Sequence, residues 1–292
     1  MSDSKARQLC EAGLKLLWQG EVEPALEKYS KALELAKDEE LRELITIRKA
    51  EALIAAGREG PEVSMLPKIV MRRRTPRHTY LAAGNMLRLM CERADFRKAI
   101  FYGEVAHDAA LQLDDPLSCA SILNHLGIAL SANSDFKASL DALEEAYDAL
   151  LLLDENRDDV RSLRPAILVN IGGAKVMTGE TEEGIGILEQ ALPFVDEDYI
   201  LAEAMLDLCL GYCDLENYTS AEAFGRRALT LATVDRQVRN ANYLLGRIAT
   251  DTGRYDEASD YFDVVAGYYS EYPNVKELLL KVDLSQVVNW KA

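Results

Sequence analysis

The stretch GRYDEASDYF, residues 253–262, sets a glycine, an aromatic, a small residue and a second aromatic at fixed offsets, and the same frame recurs along the chain. Its turn position is held by Gly20, Gly57, Ala94, Ser134, Gly179, Glu216 and Gly253, at spacings of 37, 37, 40, 45, 37 and 37 residues. Two residues later stand Val22, Glu59, Phe96, Phe136, Thr181, Tyr218 and Tyr255. A small residue follows at Ala25, Ala99, Ser139, Gly184, Ala221 and Ala258, with Glu62 as the exception. Further on come Ala32, Ile69, Ala106, Ala146, Ala191, Ala228 and Val265, and upstream of each turn lies Gly13, Ala50, Leu87, Gly127, Gly172, Cys209 or Gly246. A unit of this length cannot bury its apolar face alone, so a chain with this period must stack its copies into a continuous core.

Each offset has a steric reason. Small residues on both helices of a hairpin let the two backbones approach, while Tyr29, Leu143, Leu188 and Phe262 are large enough to fill the gap to the next unit. A glycine between the helices takes the positive φ that ends the first of them. Pro24, Pro116, Pro165 and Pro273 are expected near helix ends, where a missing N–H costs little. Almost nothing alternates with period two, so almost no strand is expected. In the second copy, around residues 43–77, Pro61 and Pro67 predict an interrupted second helix. The insertion LDENRDDVRSLR at 153–164 reads as an exposed loop. Near the end, Val275, Leu278, Leu279 and Val282 share helical spacing and predict a helix capping the last repeat. The alternative for this end is that Val287, Val288 and Trp290 form a docking tail for a neighbour.

At these positions the chain resembles the tetratricopeptide repeat (TPR) family. The resemblance is carried by the first-helix pairs Leu126-Gly127, Ile171-Gly172 and Leu245-Gly246 and by the second-helix stretches GRYDEASDYF and ENYTSAEAFGRRAL. It covers about residues 6–270, with copies starting near 6, 43, 80, 120, 165, 202 and 239, a repeat region over 1–272, and 273–292 as cap and tail. It implies an all-α, right-handed superhelical solenoid of about seven helix-turn-helix repeats whose first helices line the concave wall. The spacing exceeds the family's usual length of about 34 residues, which resembles the extended repeats of kinesin light chains and of bacterial peptide-sensing regulators.

Charge and cysteine usage narrow the function. A net charge of −16 opposes nucleic-acid wrapping, which needs a basic stripe. One segment differs: Val63 to Cys91 contains no acidic residue and carries Lys68, Arg72, Arg73, Arg74, Arg77 and Arg88, leaving −22 for the rest. Its basic run, Arg72, Arg73, Arg74 and Arg77, is expected in a loop between the second and third copies, neutralised by acidic groups of the same chain or attracting an acidic partner. Five cysteines, Cys10, Cys91, Cys119, Cys209 and Cys213, form no CxxC pair, so neither a disulfide framework nor a metal site is expected. The start, MSDSKARQLCEAG, lacks a signal-peptide pattern and no apolar run of about 18 residues occurs, so a cytoplasmic, non-membrane protein is expected. His78, His107 and His125 stand in no catalytic motif, no cofactor is expected, and no constellation assigns a nucleophile and base.

Binding residues are sought on first helices, away from the packing positions. Two residues before each small first-helix position stand Glu11, Arg48, Asn85, His125, Asn170, Asp207 and Leu244, six of them polar. Asn85 and Asn170 could hold the backbone amides of an extended peptide, as the asparagine ladder of some relatives does. The competing reading is that a non-core helix position is polar because it is wet. Arg88, Asn124, Asn240, Tyr243 and Arg247 belong to the same wall. Arg48, Arg88 and Arg247 could receive a ligand carboxylate, or could pair within the chain, Arg48 with Glu51 and Arg88 with Glu92. The lysine and asparagine clamp of the co-chaperone subclass has no counterpart, since Cys10 and Leu81 stand at its lysine positions.

The expected function is a non-enzymatic scaffold or adaptor that binds a peptide or protein segment in the concave groove. Two alternatives stand beside it: a regulatory peptide sensor whose superhelix changes shape, though an added effector domain is not evident, and a structural protein that self-associates through its C-terminal helix.

Overall fold

A computed structural model describes residues 2–282, 289 and 291. The chain forms two compact units, Met1–Ala129 and Leu130–Ala292. Helices of the first are α1 (Ser2–Trp18), α2 (Val22–Leu35), α3 (Glu39–Ala55), α4 (Pro61–Arg72), α5 (Pro76–Glu92) and α6 (Phe96–Leu111). The boundary falls within α7 (Pro116–Ala132). The second unit continues with α8 (Phe136–Leu151), α9 (Asp158–Thr178), α10 (Thr181–Ala191), α11 (Asp198–Asp214), α12 (Tyr218–Leu231), α13 (Asp235–Asp251), α14 (Tyr255–Gly267) and the short α15 (Val275–Leu279). No strand occurs among the described residues. In unit 1, α1 packs on α2, α3 on α4 and α5 on α6; in unit 2, α9 packs on α10, α11 on α12 and α13 on α14.

The repeat frame read from the sequence is a backbone frame. All seven turn positions, Gly20, Gly57, Ala94, Ser134, Gly179, Glu216 and Gly253, have φ between 54° and 89°. In each copy the following N–H reaches back five residues to a carbonyl, from Glu21 to Leu16 through Arg254 to Ala249, at 2.7–2.9 Å. This is the hydrogen bond that closes a helix through a left-handed residue and satisfies one of its orphan carbonyls. Three copies add a cap for the next helix: Asp95, Asp135 and Asn217 accept from the N–H groups of Lys98, Ala138 and Ser220. The left-handed conformation costs a residue with a Cβ about 1–2 kcal/mol. Ala94→Gly and Glu216→Gly are therefore expected to stabilise the chain by about 0.5–1 kcal/mol each, after the extra chain entropy of glycine is counted. A urea unfolding midpoint that fails to rise in either variant contradicts this.

Three of the large residues, Tyr29, Leu188 and Phe262, meet the small first-helix position within one hairpin. They fill their own hairpin: a Cβ placed on Gly13 would stand 2.7 Å from Tyr29, one on Gly172 2.6 Å from Leu188, and one on Gly246 2.6 Å from Phe262. These three large side chains are fully buried, so glycine on the first helix is the space that the second helix's large residue occupies.

Some expectations change. The second copy is an α3–α4 hairpin: Pro61 opens α4 in the first turn, where its missing N–H is harmless, and Pro67 is carried inside the helix. The insertion at 153–164 is not all loop. Its second half, from Asp158, forms the start of α9, held by fully buried Val160, so that Pro165 also lies inside a helix. The C-terminal cap is α15, which packs on α14 through buried Leu279 and partly buried Val275, while Leu278 and Val282 face solvent. Val287, Val288 and Trp290 lie outside the described residues.

Candidate functional site

The first helices of adjacent hairpins in unit 2, α11 and α13, lie side by side. Glu203 and Asp207 are one turn apart on α11; Arg236, Asn240 and Leu244 follow one another at single turns on α13, with Gln237 beside them. Helical spacing thus gathers two carboxylates, a guanidinium and two amides on a wall whose apolar part is Leu206, Leu210 and Leu244. Asp207 has room because α9 carries Gly173 opposite it: a Cβ there would collide with the carboxylate.

The polar groups are tied together tightly. Arg236 Nη2 donates to Glu203 Oε1 at 2.7 Å and to the Tyr199 hydroxyl at 3.2 Å. Gln237 Nε2 donates to the same Glu203 oxygen at 2.7 Å and to the Tyr199 carbonyl at 3.0 Å, while its Oε1 accepts from Thr233 N–H at 2.9 Å. Lys291 Nζ lies 2.6 Å from Asp207 Oδ1 and 3.7 Å from Glu203 Oε2. Burial works to raise the Glu203 pKa, but the charges of Lys291 and Arg236 and the Gln237 and Arg236 hydrogen bonds outweigh it and hold the carboxyl below its ordinary range. For Asp207 burial wins over Lys291, and the pKa is raised. Burial opposes the charge on Lys291, yet Asp207 and Glu203 prevail and raise its pKa, keeping the ammonium charged.

Of the residues singled out in the sequence, Asp207 and Asn240 line this site together. Asn170 is half-buried on α9, and Tyr243 is a core residue whose ring lies 6.1 Å from that of Phe262. Arg247 pairs with Asp251 at 3.2 Å. The remaining candidates belong to unit 1. Asn85 and Asn124 are buried there, so the two asparagines of the expected ladder, Asn85 and Asn170, sit in different units. Arg48 pairs with Glu51 at 2.7 Å, whereas Arg88 forms no ion pair with Glu92 among the described residues. His125 donates from Nδ1 to the Ser121 carbonyl at 2.8 Å, and burial, aided by the Arg88 charge, lowers its pKa against that bond.

The basic run straddles the α4–α5 joint. Arg74 reaches Glu39 at 2.8 Å and Arg72 lies 3.9 Å from Glu43, both on α3, while Arg73, in the left-handed conformation, and Arg77 are exposed. A cleft of about 990 Å³ in unit 2, lined by Tyr147, Pro165 and Phe194 among others, contains none of the singled-out residues.

Sequence reading missed Glu203, Arg236, Gln237 and Lys291. Glu203 and Arg236 carried a usable signal, each one turn before a residue already chosen, Asp207 or Asn240. Lys291 carried none, being 84 residues from its partner and outside every repeat.

Helical hairpins closed by a left-handed turn and packed through small residues define a TPR-like helical repeat fold. Solved structures share it. The chain is similar to a Rap protein complexed with competence and sporulation factor (18% identity, TM-score 0.70, covering 95% of this chain and 79% of that one). It is similar to NprR in complex with its cognate peptide NprX (15%, 0.68, 94% and 81%), a protein also described as the quorum sensor of B. thuringiensis. A tetratricopeptide repeat protein from Parabacteroides merdae matches too (16%, 0.57, 95% and 98%). No family model matches the sequence, and no curated protein matches it.

Proposed function

We propose that the chain is a non-catalytic binding protein that receives an extended peptide or protein segment along the first helices of unit 2, at Glu203, Asp207, Arg236 and Asn240. The observation that carries this reading is the wall itself. It sets two carboxylates, a guanidinium and the Gln237 and Asn240 amides on adjacent first helices, in contact with Lys291, which belongs to no repeat. Such a surface recognises a segment by hydrogen bonds and a few charges, without needing a deep pocket. Support comes from the solved neighbours that hold peptides: the Rap protein with competence and sporulation factor, NprR with NprX, and the Rap conjugation gene regulator with the Phr* peptide. A sensor rather than a passive adaptor is favoured by the descriptions of two of them as a quorum sensor and a gene regulator. A cytoplasmic location fits this role, and among the described residues no helix is long and apolar enough to cross a membrane.

The test is an array of random-sequence pentapeptides and hexapeptides probed with the full chain. A group of peptides bound at micromolar concentration, with affinity reduced at least about ten-fold by Asn240→Leu (a loss of about 1.4 kcal/mol), is expected. No peptide above background, or binding indifferent to that substitution in a variant of unchanged circular dichroism, overturns the reading.

A further inference from the structure

Two residues that lie outside every repeat hold on to elements of different hairpins. Asn289 Nδ2 is 2.9 Å from the Ser131 carbonyl, 2.8 Å from that of Ala132 and 2.9 Å from Ser134 Oγ, all at the C-terminal end of α7. Lys291 Nζ meets both oxygens of Asp207 on α11, at 2.6 and 2.7 Å. The Lys291 N–H donates to Asn289 Oδ1 at 2.8 Å, which couples the two side chains into one clasp.

Both ends answer a need of the wall. The Ser131 and Ala132 carbonyls are among the last of α7, beyond the reach of the helix's own N–H groups; Ser131 accepts from Ser134 N–H at 3.0 Å, and the Asn289 amide adds a donor to both carbonyls. Asp207 is only 4% exposed, and a carboxylate that deep requires a cation. Arg236 donates to Glu203 and Tyr199, and the cation in direct contact with both Asp207 oxygens is Lys291. The four charged groups, Glu203, Asp207, Arg236 and Lys291, balance; taking Lys291 away leaves the wall with an excess negative charge.

We infer that Asn289 and Lys291 form an internal ligand: they hold the binding face of unit 2 in a self-occupied state, and a partner segment takes that face by bringing a lysine- or arginine-like cation to Asp207 in exchange for Lys291. The inference rests on the reading of this face as peptide-binding. It adds the chemistry of the ligand and the step that admits it, since a segment without a cation would strand Asp207 and one with a carboxylate there would be repelled.

The experiment uses the full chain as wild type, Lys291→Glu, and Lys291→Glu with Asp207→Asn, each checked by circular dichroism. The probe is a fluorescent synthetic peptide of residues 284–292, LSQVVNWKA, with a second peptide in which the lysine is methionine. Fluorescence anisotropy is expected to show the lysine peptide binding Lys291→Glu at least about ten-fold more tightly than wild type. Binding is lost with the methionine peptide or with Asp207→Asn. Equal binding to wild type and Lys291→Glu, or equal binding of the two peptides, overturns the inference. So does a wild-type dimer in light scattering that Lys291→Glu dissolves, because the contact would then be made between copies. The pentapeptide array separates this from the proposed function. Array peptides bound equally by wild type and Lys291→Glu leave that function standing and remove the internal ligand. A lysine peptide that binds Lys291→Glu while the array stays blank does the reverse.

Discussion

Gly184→Ala is expected to destabilise unit 2 by about 2–3 kcal/mol, and Gly186→Ala, two residues along the same helix, to stabilise it by about 1 kcal/mol. Both lie in α10, and glycine costs either position backbone entropy that alanine would recover. What separates them is the space for one methyl group. At Gly186 nothing lies within 4 Å of an added Cβ, so only the propensity gain remains. At Gly184 the Cβ would stand 2.7 Å from the Gly172 carbonyl oxygen and 3.0 Å from the Val176 backbone N. Backbone atoms of α9 cannot rotate away as a side-chain end could, so α9 and α10 must separate and the contact of Leu188 with Gly172 loosens with them. Urea unfolding followed by circular dichroism, with hydrogen exchange reporting on α9 and α10, measures both. A stabilising shift at both positions would show that propensity, and not the close approach of the helices, governs this hairpin.

The same pair of helices shows how much was legible in the sequence. The turn column was legible because a left-handed residue leaves a chemical trace, glycine in four of seven copies, and the copies with Ala94, Ser134 and Glu216 were recovered by spacing alone. The glycine and large-residue columns were legible because one methyl group decides whether two helices can approach. Spacing did not say which neighbour Tyr29, Leu188 and Phe262 would fill, since a residue in a repeat has equivalent neighbours on either side. Polar composition misled at Asp158–Arg164: an exposed helix turn and a loop share their residue types, and the single buried Val160 tips the balance. At the site, Asp207 stood at the repeat position two before the small first-helix residue, and Asn240 lies one turn before the same position, held by Leu244, in the next copy. Lys291 stands at no repeat position, and a contact made across 84 residues by a segment outside the period leaves no pattern to read.

Arg236→Met is expected to cost about 3 kcal/mol at neutral pH, and adding Glu203→Gln is expected to return most of it. Glu203 shows only 12% of its side chain to solvent and Arg236 22%, so their 2.7 Å contact is a largely buried pair. Losing the guanidinium leaves Glu203 with Gln237 and the more distant Lys291 amid Tyr199 and Asp207. Neutralising Glu203 as well removes the stranded charge, and Gln237, which is fully buried, keeps its bond to the Tyr199 carbonyl. The pH dependence carries a definite sign. The folded-state pKa of Glu203 is lowered from its ordinary 4.5, so its contribution is present in full above that value and is lost as pH falls through the folded pKa. The gap between wild type and Arg236→Met is therefore expected to be constant near neutrality and to shrink in acid, where Glu203 of the variant, without the guanidinium that offsets its burial, takes up a proton before that of the wild type. Denaturation of the four members of the cycle at pH 7 and pH 4 tests both statements. A single-variant cost under about 0.5 kcal/mol, the size of an ordinary surface change, would mean that Arg236 does not hold the wall. In that event its place beside Glu203 would serve an incoming segment, and the array of peptides would lose binding to Arg236→Met while the fold kept its stability.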